Sequence, residues 1–221
     1  MHPSQPNSYG EAGASPEGQS PDPVKRTPGR PRAEGHLPVR DLILKTASKL
    51  FMEQGYEPVS LNHIAELCGV TKATVYYHFD SKPVLFTAAV TRMLQLAHAG
   101  TERYLLQEGS LRDRLLQVAE KRLAMAQHME FEALMREASH YLDSGQRTAI
   151  RKAEQQLHDL LSAHFERAVA DGEIKNGNPM LMAHSYTALL MIGNRQAAKH
   201  IYASTKELAG QIMDMFWSGV A

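Results

Sequence analysis

Apolar residues return at helical spacing along most of this chain. Ile43, Ala47, Leu50 and Phe51 stand at i, i+4, i+7 and i+8, one face of a helix that stops at Gly55-Tyr56. From Ser81 to the end the helical period continues, without the two-residue alternation of a half-buried strand. The spacing predicts helices over about 81 to 98, 110 to 127, 130 to 142, 146 to 171, 179 to 202 and 205 to 218. Breakers divide them at Glu108-Gly109-Ser110, Asp143-Ser144-Gly145, Asp171-Gly172 and Asn176-Gly177-Asn178-Pro179. The last makes Asn178 an N-cap and sets Pro179 at the first helical position. Residues 1 to 37 are different: dense in Pro, Gly and Ser, they have too little to bury to offset the entropy of ordering, and a disordered basic tail is expected.

Between the first helix and Ser81 the pattern becomes more specific. Ala65, Gly69 and Val75 have the spacing with which two short helices cross around a tight turn. The small Ala65 admits the second helix, Gly69 can take the positive φ that ends the first, and Val75 fills the angle between them. Thr71 then falls at the N-cap of the second helix, and Ser60 at that of the first. With Val75 inside, 3.6 residues per turn bring Lys72, Ala73 and Tyr76 together on the opposite face. Lys72 can donate to guanine O6 and N7, and Ala73 and Tyr76 can meet a thymine methyl. Ser60, Thr71, Thr74, Tyr77, His78 and Lys82 flank this strip with donors suited to phosphate oxygens, which fix register without reading sequence. The pattern implies duplex-DNA binding.

The run Ile43, Ala47, Leu50-Phe51, Gly55-Tyr56, Ile64-Ala65, Gly69-Val70-Thr71-Lys72-Ala73-Thr74-Val75-Tyr76-Tyr77-His78-Phe79 and Ser81-Lys82 resembles the amino-terminal DNA-binding domain of the TetR family. Departures are mild: Ala73 and Val75 stand where the family usually has Gly and Leu, and Cys68 replaces a common Ala. The resemblance implies an all-α fold of about nine helices, with an amino-terminal three-helix HTH domain and a helical ligand-binding and dimerisation domain. The expected boundaries are a tail over 1–37, the DNA-binding domain over 38–84 and the body over 85–221. It further implies a homodimeric transcriptional regulator, a repressor, that is released from an operator by a small molecule.

Composition changes this picture little. Lys plus Arg and Asp plus Glu are equal at 24 each, but from Lys25 to Lys82 nine basic residues face six acidic ones, so the positive excess lies with the motif. Lys25-Arg26-Thr27-Pro28-Gly29-Arg30-Pro31-Arg32 resembles an AT-hook core, in which Arg30 and Arg32 would enter a narrow A·T minor groove. A solubilising basic linker is the other reading, and both stay open. A single cysteine excludes an internal disulfide framework, and Cys68 reads as a small core residue. Without a signal-peptide core or a run of about eighteen apolar residues, a cytoplasmic protein with no membrane association is expected.

In the body, Met182, Leu189 and Gly193 on one helix with Leu208, Ile212, Met215 and Phe216 on the next form apolar stripes suited to an isologous four-helix interface. A two-fold dimer would set two recognition helices in successive major grooves of a palindromic operator. An effector pocket, implied by the resemblance, would draw on Leu94, Leu116, Met125, Met129, Phe131, Met135, Tyr141, His158, Phe165 and Tyr186. The alternative is a body that binds a protein partner. His158 with Glu154 and His140 with Glu137 have metal-compatible spacing, but with no Cys cluster or HExxH the histidines read as hydrogen-bonding or solvated groups, and neither metal nor cofactor is called for. GxGxxG, GxSxG and HExxH are absent, and no enzyme is expected.

Overall fold

The computed structural model describes residues 37–125, 131–194 and 201–221. Arg30, Arg32 and Met129, singled out above, lie outside the described residues, as does part of the stretch expected as helix over 179–202. Among the described residues nine helices and no strands are found: α1 (Val39–Gln54), α2 (Leu61–Cys68), α3 (Lys72–His78), α4 (Lys82–Leu105), α5 (Leu111–Ala124), α6 (Phe131–Ala138), α7 (Ser144–Ala170), α8 (Pro179–Asn194) and α9 (Thr205–Val220).

Side-chain caps start most of them where the sequence puts Ser, Thr, Asp or Asn. Ser60 and Thr71 accept from the amides of His63 and Thr74, both at 3.1 Å. Asp143 and Gln146 form a reciprocal capping box at 2.8 and 2.9 Å, and Asn178 accepts from the Leu181 amide at 3.0 Å. Each such cap is worth about 1 kcal/mol. Three helices depart from their expected lengths: where the expected helix runs to 202, Ile201 and Tyr202 lie in a turn ahead of the Ser204 cap. α4 continues past residue 98 because Thr101 and Leu105 bury and Arg114 Nη1 donates to the Leu105 carbonyl at 2.7 Å. α6 stops at Ala138, four residues short of its expected end at 142, where Tyr141 turns away to stack on Tyr56.

Apolar packing forms two clusters. The first unites Ile43, Ala47, Phe51, Tyr56, Val75 and Phe79 with Leu85 to Leu94 of α4, Leu134 and Ala138 of α6, and Ile150 and Ala153 of α7. The second gathers Leu105, the buried face of α5, Leu157 to Ala168 of α7, and α8 with α9. Packing is therefore continuous across the boundary expected at 84/85, and α4 and α7 contribute to both clusters. No helix among the described residues is long and apolar enough to cross a membrane.

Candidate nucleic-acid interface

The turn between α2 and α3 has the expected geometry. Gly69 lies at φ 63° and ψ 30°, the left-handed region that glycine enters without steric cost, and the Val70 amide closes the turn on the Ala65 carbonyl at 3.0 Å. Ala65 is buried, and Val75 and Phe79 are sealed inside. Lys72, Ala73, Tyr76 and Tyr77 lie outside, Tyr76 42% and Tyr77 84% exposed. The Lys72 ammonium stands 5.6 Å from the Tyr76 ring centroid, so one exposed strip carries a cation and an aromatic face together. Ser60 and Thr71 are exposed beside it, while Thr74 and His78 are half-buried. Thr71 and Thr74 hydroxyls lie 2.9 Å apart, so each is oriented by the other.

Lys82 is held more closely than a free phosphate donor. Its ammonium donates to the Glu57 carbonyl at 2.9 Å and lies 4.4 Å from the Tyr56 ring centroid. Burial pulls its pKa down, with Glu137 and Glu57 opposing. The turn that Lys82 grips is also gripped from α6: Glu137 accepts from the Tyr56 amide at 3.2 Å and the Glu57 amide at 2.7 Å. Tyr141 stacks on Tyr56 at 4.8 Å and donates to Glu57 Oε1 at 2.6 Å. Burial, reinforced by Tyr141, pushes the Tyr56 hydroxyl up to about 12. Sequence spacing gave no sign of this junction, because its partners lie some eighty residues apart. Arg40 was likewise missed; its guanidinium lies 5.4 Å from the Phe79 ring centroid, bracing the end of α3.

The residues expected to line one pocket are not gathered together. Leu94 is in the first cluster with Phe131 and Met135 packed against it, whereas Phe165 and Tyr186 are in the second with Leu116 at its edge. Tyr141 is about half exposed and spent on the turn, because its ring finds Tyr56 and its hydroxyl finds Glu57. Met125 is exposed at the end of α5. His158 is buried, with Nε2 3.1 Å from the Thr187 hydroxyl. Glu137, offered above as a partner of His140, is instead committed to backbone amides. No group of three or more potential metal ligands occurs among the described residues.

The apolar stripes of α8 and α9 turn largely into the chain itself. Met182, Leu208, Ile212 and Phe216 are buried in the chain's own second cluster. Gly193 is buried there too: a Cβ on it would meet Ile212 Cδ1 at 2.5 Å and Leu123 Cδ2 at 2.9 Å, so glycine serves close packing within the chain. Leu189 is half-buried and Met215 is 66% exposed. The large apolar side chains these helices leave exposed are Leu181, Ile192 and Met215.

A helix-turn-helix within an all-helical fold is the class that these elements define. Residues 43–89 match the model of the bacterial regulatory proteins, tetR family. The Staphylococcus aureus biofilm operon icaADBC HTH-type negative transcriptional regulator IcaR is 40% identical over 52 residues, 24% of this chain and 28% of IcaR. The HTH-type transcriptional activator FasR of Mycolicibacterium smegmatis is 31% identical over 107 residues, 47% of this chain and 49% of FasR. The chain thus spans half or less of the length of these curated relatives. The reduced form of Escherichia coli NemR superposes with a TM-score of 0.69 at 24% identity, covering 83% of this chain and 98% of NemR. Bacillus subtilis FadR in complex with stearoyl-CoA superposes with a TM-score of 0.65 at 16% identity, covering 82% and 99%. At these identities the two structures speak for the fold alone.

Proposed function

We propose that this protein is a cytoplasmic transcriptional repressor that binds a palindromic operator as a homodimer and is released by a small, largely apolar effector held in its helical body. The carrying observation is the strip of Lys72, Ala73 and Tyr76, turned outward over a sealed Val75 and Phe79. A base-reading cation, a methyl and an aromatic face on one short helix fit the major groove, and the neighbouring hydroxyls and amides of Ser60 and Thr71 fit phosphates. One such helix gives little affinity, and two related by a two-fold axis would span successive grooves about 34 Å apart. The exposed Leu181, Ile192 and Met215 supply the apolar side chains for that pairing.

Release has a route through the packing. α4 and α7 contribute to both clusters, and α6 holds the turn before α2 through Glu137 and Tyr141. An effector that displaces these helices in the second cluster would shift the recognition helices, with a coupling of about 1–3 kcal/mol, roughly 5- to 150-fold in affinity. Repression is favoured by the likeness of the DNA-binding region to IcaR, a negative regulator. Fluorescence anisotropy of the protein on the DNA upstream of its own coding region, repeated with a panel of hydrophobic compounds, tests the reading. Salt-sensitive binding reversed by one compound class is expected; indifference to every duplex at low ionic strength would end it. Removing residues 1–33 tests the tail: affinity lost mainly at A·T-flanked sites supports minor-groove entry by Arg30 and Arg32, and unchanged binding removes it.

A further inference from the structure

Two threonine hydroxyls of α4 stand without partners. Thr87 Oγ1 and Thr91 Oγ1 are closed off from solvent and make no hydrogen bond, and among the described residues they are the two enclosed side-chain polar atoms of which this is true. An enclosed hydroxyl left unsatisfied is costly, and folded proteins keep few of them. Four residues apart, the two threonines share one face of α4. Both border the same groove, of about 670 Å³, which α4 forms with the start of α1 and the first turn of α7. Since each residue lines the groove while its oxygen is enclosed, rotation about χ1, which exchanges hydroxyl and methyl, is the movement that presents the oxygen to the groove. Threonine in a helix divides between two such rotamers.

The groove supplies further donors. Arg92, the residue after Thr91, is exposed along it and, among the described residues, its guanidinium has no carboxylate, hydrogen-bond or ring partner. Arg40 borders it from α1, its guanidinium set by the Phe79 ring at 5.4 Å. Gln146 borders it from α7; its Oε1 accepts the Asp143 amide at 2.9 Å, so its N–H donors are left out of that bond. Asp41 is the one carboxylate of the lining, so two cations face a single anion and positive charge is in excess. Leu44 and Ala88 add an apolar wall. A lining rich in donors, positive in balance and holding two hydroxyls that lack an acceptor is suited to an oxyanion. Asp41 disfavours a second anionic group beside the first.

We propose that this groove binds a small ligand through one oxyanion, a phosphate monoester or a carboxylate, with Arg92 and the hydroxyls of Thr87 and Thr91 on the oxyanion and Leu44 and Ala88 against its apolar part. The site is separate from the effector reading given above, because its lining comes from α1, α4 and the start of α7 and shares no residue with the second cluster. A ligand held there ties α1 to α4 and α7. The test is isothermal titration of the full chain with phenyl phosphate, benzoate and phenol. At least one of the two anions is expected to bind about tenfold or more tightly than phenol, and the tighter of them identifies the oxyanion. Arg92→Met, at an exposed position, is expected to erase that preference. Thr87→Val combined with Thr91→Val is expected to weaken the preferred anion several-fold while the melting temperature of the free protein holds or rises, because the hydroxyls removed have no partner to lose. Equal binding of all three probes, or binding of none, overturns the proposal. So does a preference that survives Arg92→Met, or a double valine variant whose melting temperature falls. A uniform loss of affinity for every duplex in Arg92→Met, with no probe bound, would give the groove to DNA phosphates and overturn it as well.

Discussion

Glu137 at the end of α6 accepts the Glu57 amide at 2.7 Å and thereby fastens the body to the turn that opens the helix-turn-helix. The same carboxylate takes the Tyr56 amide, and Tyr141, three residues beyond α6, closes the arrangement from the other side. A hinge assigned to α4 alone would overlook this second attachment.

Glu137→Ala should therefore cost about 1–2 kcal/mol of stability, the range for partly exposed hydrogen bonds to a charged acceptor. It should also blunt effector-driven release while leaving unliganded DNA affinity within a few-fold. Urea denaturation read beside anisotropy checks both, and release as steep as in the intact protein would show that α6 carries no signal.

Lys72 and Lys82 should separate cleanly. Lys72 is exposed and its ammonium lies over the Tyr76 ring, so Lys72→Ala should change which operator bases are preferred, by about 1–3 kcal/mol at the base concerned, and leave thermal stability unchanged. Lys82 holds the Glu57 carbonyl and the Tyr56 ring, so Lys82→Ala should lower the melting temperature and weaken all duplexes alike. Identical behaviour on a set of operator variants would refute the division.

Thr71→Ala removes the side-chain cap of a helix only seven residues long and leaves the Thr74 amide with the Thr71 carbonyl at 3.0 Å alone. A loss of about 0.5–2 kcal/mol is expected, with a uniform decline in DNA affinity, and Thr71→Ser should restore most of both.

Acid should destabilise the fold. His158 is held below its ordinary value first by burial, then by His184 and Arg122, with Asp159 opposing. His164 is lowered by burial, Arg114 and Arg167, with Glu102 opposing. The unfolded chain then binds more protons than the folded one as pH falls through about 6.5, so stability present above that value is lost below it. Glu154, raised by burial, works in the opposite sense at the acid end. The melting temperature should drop between about pH 7.5 and 5.5, and less in His158→Gln. A flat profile would contradict the burial of these rings.

Leu181, Ile192 and Met215 should govern self-association. Ile192→Glu or Met215→Glu, placed on exposed positions, should yield folded monomers by light scattering with much weaker operator binding. Undiminished dimers would locate the seam elsewhere.

The local parts of the molecule were legible from sequence and the distant ones were not. Gly69, Val75 and the caps Ser60, Thr71 and Asn178 could be read because each answers a steric or hydrogen-bonding demand within a few residues. Periodicity likewise marked α8 and α9 as apolar, but a stripe on one helix does not say which neighbour covers it. Here Leu208, Ile212 and Phe216 are covered by the chain itself. Tyr141 looked like a pocket residue because an aromatic ring in a body helix has many possible partners, and only the fold brings Tyr56 to it.

The shared first cluster also limits what an engineer can transplant. A reading head cut at residue 84 and fused to another helical body would leave Ile43, Phe51 and Tyr56 without Phe86, Leu134 and Ile150 beneath them, a greasy wound that invites aggregation. A chimaera of altered operator preference is better made by exchanging only the outward residues of α3 and keeping the native foundation intact.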